Sequence, residues 1–188
     1  MYWVFFVLLL PLNYILPASW GRENGVVETL QLVLLAACIG VFVRSYSWRL
    51  VDWHGDKKSL CCAGGITFFL LLMREISWGR VLILRPDGSS QYSDLGLYGQ
   101  LVHPMIAVLI IVALICLYRA RVWRIFKFVK LRYKYILALV LFIVMARVAE
   151  CHLVAWYSGN LAEELAELGA YMMILYLLRD GFKKLRVR

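Results

Sequence analysis

Histidine is nearly missing from this chain. Three residues in 188 carry an imidazole, and no His-x-x-x-His or His-Glu-x-x-His spacing joins them. His103 and His152 fall on the same expected side of a membrane, near Glu150, but without such spacing no zinc, haem or other cofactor is assigned. Cysteine is sparse too: Cys38, Cys61, Cys62, Cys116 and Cys151 show no paired spacing of a disulfide framework, which leaves them as packing residues. The adjacent Cys61-Cys62 pair is also a place where a lipid could be attached, packing being the plainer reading. Acids are outnumbered, 12 against 21 lysines and arginines, for a net charge of +9. The basic residues sit between apolar stretches rather than on one soluble domain, so the charge is read as membrane topology, and nucleic acid is not an expected partner. No internal repeat is visible either, and repeats are the usual sign of a self-sufficient transporter.

Apolar sequence is plentiful. At 63% hydrophobic residues, the chain has more apolar surface than a single soluble core of this size can bury, which implies an integral membrane protein. The apolar runs predict one all-α domain, a polytopic transmembrane helical bundle of about six spans at residues 2–17, 26–43, 60–84, 101–118, 135–157 and 161–178. The first run lacks the cationic start of a signal peptide and is read as a span, kinked at Pro11. Gly64-Gly65 would admit a close neighbouring helix, and His103-Pro104 suits the first turn of the fourth span. Residues 119–134 hold seven basic residues interleaved with Val122, Ile125, Phe126 and Val129 at helical spacing, the pattern of an amphipathic helix lying on anionic lipid at the cytoplasmic surface. Sixteen of the 21 basic residues fall in the loops after spans two and four and in the C-terminal tail. That asymmetry predicts a multi-pass protein of the inner (cytoplasmic) membrane with both termini cytoplasmic.

Charged residues within the apolar runs direct attention to function. The octet from Met73 to Arg80 follows a membrane-length apolar segment, and its adjacent Arg74 and Glu75 are costly there unless they face protein, water or each other. A spacing recurs: Glu28 to Arg44, Lys58 to Arg74, His103 to Arg119, Lys134 to Glu150 and Glu163 to Arg179 are each 16 residues apart. Sixteen residues rise about 24 Å in a helix. In a hydrocarbon layer of roughly 30 Å, five helices would then carry a polar group at one level near the outer face. Arg147, Glu164 and Glu167 fall slightly deeper and are expected to turn inward, with Arg74 or Arg147 paired to Glu75, Glu164 or Glu167. Glu28 and Gln31 lie one turn apart on one helix face.

These residues compose the expected site. Glu75, Glu164 and Glu167 are the candidates for acid-base catalysis; Glu28, Gln31, Arg74, Ser77, Trp78, Arg147, Glu150 and His103 are the candidates for ligand binding. Ser77 lacks the glycine elbow and the nearby histidine of a serine nucleophile and is read first as a helix-capping residue, while Trp78 suits an interfacial aromatic belt as well as a ligand-stacking role. Glu75-Ile76-Ser77-Trp78-Gly79 resembles the Glu-Ile-Ser-Trp-Gly core of a group of uncharacterised bacterial multi-pass membrane proteins. Those proteins have a glutamate near the start of an earlier span, matched by Glu28, and a glutamate-rich start to a late span, matched by Glu163, Glu164 and Glu167. Arg74 and Arg80 stand where an acid and a glutamine are usual, so an acidic pair suited to a metal is not carried over. The resemblance implies a multi-pass fold and a grouped site, and it brings no activity with it.

Three functions fit these residues. The first is an outer-leaflet acidic/arginine pocket that binds a lipid or other amphiphile, with carboxylate acid-base chemistry as an addition. The second is a transporter, or the substrate-binding membrane subunit of one, for a cationic or proton-coupled solute, working as a homo-oligomer or beside a partner subunit. The third is a non-catalytic membrane partner, sensor or assembly factor acting through residues 119–134.

Overall fold

A computed structural model describes residues 2–21, 25–46, 56–78, 96–123, 133–153 and 159–185. Among these residues the regular structure is helical and no strand occurs: α1 (Tyr2–Ile15), a 3₁₀ turn (Ala18–Gly21), α2 (Val26–Tyr46), α3 (Lys57–Glu75), α4 (Leu97–Arg119), α5 (Tyr133–Glu150) and α6 (Asn160–Leu185). Stretches within two helices, Val26–Tyr46 and Gly99–Arg119, are long and apolar enough to cross a membrane; 21 residues rise about 31 Å. On that test two of the six expected spans qualify. The 14 residues of α1 are too short, and α3, α5 and α6 carry charges towards both ends.

Several helix ends differ from those expected. The third apolar run was expected to stay helical to residue 84, but α3 stops at Glu75, where the chain enters a left-handed turn. The fifth stops at Glu150, and His152 after it is also left-handed, with φ +50°. The fourth helix begins at Leu97, so Pro104 lies beyond the first turn rather than in it. Both Pro104 and Pro11 sit inside helices, each removing one backbone hydrogen bond. Of the expected basic surface helix, residues 124–132 lie outside the described residues, as do Gly79, Arg80, most of the loop at 85–100 and the end of the fifth run at 154–157.

The chain forms two compact units, and the break between them falls within α2. The first comprises Met1–Ala37 and Val129–Leu185. Its centre is α5 lying along α6, with α1 and the 3₁₀ turn also packed on α6. Tyr135, Ala138, Phe142, Ala146 and Ala149 recur at helical spacing on the buried face of α5, and Leu161, Leu165, Leu168 and Met173 do the same on α6. Small residues bring these backbones together: a side chain at Gly169 would start 2.6 Å from the Phe142 ring, itself 1% exposed. Gly21 likewise gives way to the backbone of Leu161. The acid Glu163 in the first turn of α6 and Lys183 and Lys184 in its last turn both suit the helix dipole. The opposite face of α5, with Ile136, Leu137, Val140, Ile143 and Val144, is exposed and apolar, as lipid contact would require.

The second unit comprises Cys38–Phe128 with Arg186–Arg188. Its main contact is α3 against α4. Asp56 caps α3 by accepting from the Lys58 N–H at 2.9 Å and from the Ser59 hydroxyl. The same carboxylate lies 3.9 Å from Arg119 at the far end of α4, so the two helices run antiparallel. The Ser59 hydroxyl is the main reason that the Asp56 carboxyl titrates below its ordinary value; the Ser59 and Lys58 backbone N–H groups and Arg119 add to it, against a smaller opposing effect of burial. Cys62 on α3 lies near Cys116 on α4. Phe42, from the second half of α2, fits against Gly64 and stacks on Phe68 with ring centroids 5.8 Å apart. Of the Gly64-Gly65 pair only the first is used this way, since nothing lies within 4 Å of a side chain built at Gly65. Most of the apolar side chains of α4 are exposed, among them Leu101, Val108, Ile111, Leu114 and Ile115.

Candidate functional site

Each of the five 16-residue spacings lies within one helix: Glu28 and Arg44 on α2, Lys58 and Arg74 on α3, His103 and Arg119 on α4, Lys134 and Glu150 on α5, Glu163 and Arg179 on α6. The candidate residues form a separate constellation in each unit.

In the second unit, the sequence octet closes α3. The Ile76 N–H still donates to the Leu72 carbonyl at 3.3 Å, and the chain then leaves the helix through Ser77 and Trp78, at φ +47° and +54°. Two consecutive non-glycine residues in the left-handed region cost roughly 1–2 kcal/mol each. Their effect is to fold Trp78 back until 6% of it is exposed. Trp78 and Arg74 line a groove of about 390 Å³ with Thr67, Leu70, Leu71, Ile106 and Ile110. Residues 67, 70, 71, 74 and 78 form one stripe of α3 and its closing turn, facing the 106–110 stripe of the antiparallel α4. The Thr67 hydroxyl donates to the Ala63 carbonyl at 2.8 Å, so its hydrogen is committed to its own helix. Arg74 is therefore the one charged group among the residues that line the groove. Glu75, next in sequence, is turned about a quarter of the way round the helix from Arg74 and is half-buried. His103 is exposed, one turn before Ile106 on the same stripe of α4.

In the first unit, Gln31 is fully buried. Its Nε2 donates to the Glu164 carboxylate at 2.8 Å and to the Glu164 backbone carbonyl at 2.9 Å, joining α2 to α6. Among the described residues its Oε1 is buried with no hydrogen-bond partner, an arrangement that costs about 1–3 kcal/mol. Glu28, one turn earlier on α2, is 9% exposed, and Glu163, Glu164 and Glu167 are half-buried on α6. Gln31 and Glu164, both expected at the site, are thus in direct contact.

Arg147 corrects an expectation. It was expected to turn inward and meet a carboxylate of another helix, yet it pairs with Glu150 three residues along its own helix, with 69% of its side chain exposed. In the last turn of α5 that neighbour is within reach, a cation suits the helix C-terminus, and the inward positions are taken by Ala146 and Ala149. The groove walls Ile106 and Ile110 were not expected, since nothing separates them from the other isoleucines of α4. Asp56 was not singled out, though an acid directly before a helical run is the signal that could have found this cap. Among the described residues, no group of three or more His, Cys, Asp or Glu side chains is placed to hold a metal ion. No family model, curated protein or solved structure matches this chain.

Proposed function

We propose that this is a six-span protein of the inner membrane, both termini cytoplasmic, that binds a lipid or other amphiphile at the outer-leaflet level. The observation that carries this reading is the groove in which Arg74 and Trp78, both drawn from the sequence octet, border an apolar trough between α3 and α4. The trough is apolar almost throughout, the kind of surface that the chain of an amphiphile would cover. Arg74 stands about 24 Å along α3 from Lys58, which places it at headgroup depth if Lys58 marks the cytoplasmic surface. The exposed apolar faces of α4 and α5 fit a bilayer and would be a liability in water. The groove supports binding more directly than chemistry; acid-base roles for Glu75, Glu164 and Glu167 remain proposals.

Native mass spectrometry of protein extracted in mild detergent tests this reading. An amphiphile should be retained by the native chain and depleted in Ile110→Trp, which fills the trough. A native chain carrying no amphiphile, and binding none when offered, would overturn it.

A second reading, transport or binding of a cationic solute, draws on Gln31. Its unpaired acceptor oxygen and the carboxylates of Glu28 and Glu164 make an acceptor-rich setting. Counterflow of a labelled organic cation in proteoliposomes would support it if Gln31→Leu abolished the flux, and absence of counterflow would remove it.

A further inference from the structure

The cysteines of the second unit are of two kinds. Cys38 and Cys61 are buried, as packing residues are, whereas Cys62 on α3 is exposed and Cys116 on α4 is half-buried. The antiparallel register of α3 and α4 brings these last two together. Asp56 at the start of α3 meets Arg119 at the end of α4, and further along the pair Thr67 and Leu70 line the same trough as Ile106 and Ile110. Between those two contacts α3 passes through Cys62, about 9 Å in from Asp56, and α4 passes through Cys116, about 4.5 Å in from Arg119. The two side chains are near neighbours in the structure.

We infer that Cys62 and Cys116 form a redox site, a thiol pair that an organic hydroperoxide oxidises to a disulfide and that glutathione reduces again. Exposure sets the order of events, since accessible cysteines react and buried ones are inert. The Cys62 sulfur, as thiolate, attacks the terminal oxygen of the hydroperoxide; an S–O bond forms, the O–O bond breaks, and the departing alkoxide takes a proton to become the alcohol. The Cys116 sulfur then attacks the Cys62 sulfenic acid; an S–S bond forms, the S–O bond breaks, and the hydroxyl leaves with the Cys116 proton as water. Two electrons pass from the thiols to the peroxide. Two molecules of glutathione return them by successive thiol–disulfide exchange and leave as glutathione disulfide.

The surroundings of the pair select the oxidant. Phe69, two turns beyond Cys62 on the same face of α3, and Val112, one turn before Cys116 on α4, are exposed and apolar. A peroxide carried on an acyl chain approaches through such a surface more readily than a hydrated one. Lys57, Lys58 and Arg119 lie at this end of the two helices, the end that the charge asymmetry assigns to the cytoplasm. There the glutathione pool keeps thiols reduced, so a disulfide forms transiently and in response to oxidant. Neither step requires the trough to hold an amphiphile.

The experiment treats the full-length protein in lipid nanodiscs with cumene hydroperoxide and reads intact mass and peptide maps. The chain should lose two hydrogens, show one linked pair of peptides, Cys62 with Cys116, and regain both hydrogens when reduced glutathione is added. In Cys116→Ser, dimedone should trap a sulfenic acid at Cys62; in Cys62→Ser, labelling of Cys116 should be slower by on the order of tenfold, as its lower exposure requires. No link, a link between Cys62 residues of two copies, or a bridge that glutathione leaves closed would overturn the site. Equal labelling of the two variants would overturn the order of attack. Cys62 found already carrying an acyl chain in protein from native membranes would overturn the site in favour of lipid attachment.

Discussion

The two units solve one packing problem alike and a second one differently. Each sets a phenylalanine ring against a glycine of a neighbouring helix, Phe142 on Gly169 in the first and Phe42 on Gly64 in the second. Their polar groups are handled in contrasting ways. The first unit buries an amide and fastens α2 to α6 through it, whereas the second keeps its charges at helix ends, Asp56 with Arg119 at one end and Arg74 at the other. Internal polar contacts hold helices in register and leave little freedom, because each broken bond strands a partner away from water. With its charges at helix ends, the second unit keeps the trough between α3 and α4 apolar. Gln31 thus ties helices together, while Arg74 only borders a trough.

The sharpest test of the contrast is covalent. Mild oxidation should join Cys62 to Cys116, visible as a linked pair of peptides by mass spectrometry and lost in Cys62→Ser. Closing a loop of that length stabilises by up to about 4 kcal/mol in the chain-entropy picture. That gain should fall on the α3–α4 pair, as measured by hydrogen exchange. Absence of the link would show that the two helices are not apposed as described.

Next come the glycines. Gly169→Ala should lower stability by about 2 kcal/mol in thermal unfolding, because the ring it meets is fully buried and has nowhere to turn. Gly64→Ala should cost at least as much, since the added atom meets the buried Phe42 ring more closely still; the helix-propensity gain of roughly 1 kcal/mol offsets part of the clash at both positions. A smaller loss at Gly64 than at Gly169 would show that the Phe42 ring has room to turn that the Phe142 ring lacks.

A smaller effect is expected at the buried amide. Glu164→Ala removes the carboxylate acceptor of Gln31 and should cost about 1.5 kcal/mol. Gln31→Leu should cost less, because it also removes the unpaired Oε1. If Gln31→Leu proves the more damaging of the two, Oε1 has a partner in the protein as it works.

The smallest effect concerns the cap. With its folded titration point below the ordinary carboxylate value of about 3.9, Asp56 stabilises α3 fully above that value, and the contribution disappears as pH falls through the lower folded one. Asp56→Ala should cost about 1 kcal/mol at neutral pH and progressively less in acid, measured as unfolding midpoints across a pH series.

How far the sequence was legible depends on which physical signal was present. The apolar runs announced the helices, and a one-turn spacing put Glu28 and Gln31 on a common face. Helix ends were harder: residues 81–84 are as apolar as the helix before them, so hydropathy offered no reason for α3 to end at Glu75. The backbone of Ser77 and Trp78 ends it, and neither residue type advertises a left-handed turn. Arg147 was misjudged because depth was weighed and the carboxylate three residues away was not. The Gln31 contact with Glu164 spans 133 positions of chain, a separation at which one sequence offers composition and no geometry.

The turn at Ser77 and Trp78 has a consequence for handedness. A d-serine or a glycine at position 77 would hold the same backbone without strain, so Ser77→Gly should leave the protein firmer or unchanged with the Trp78 indole still buried. Mirror-image backbone at that one position is thus compatible with everything around it, and chirality alone is what the natural serine gives up there.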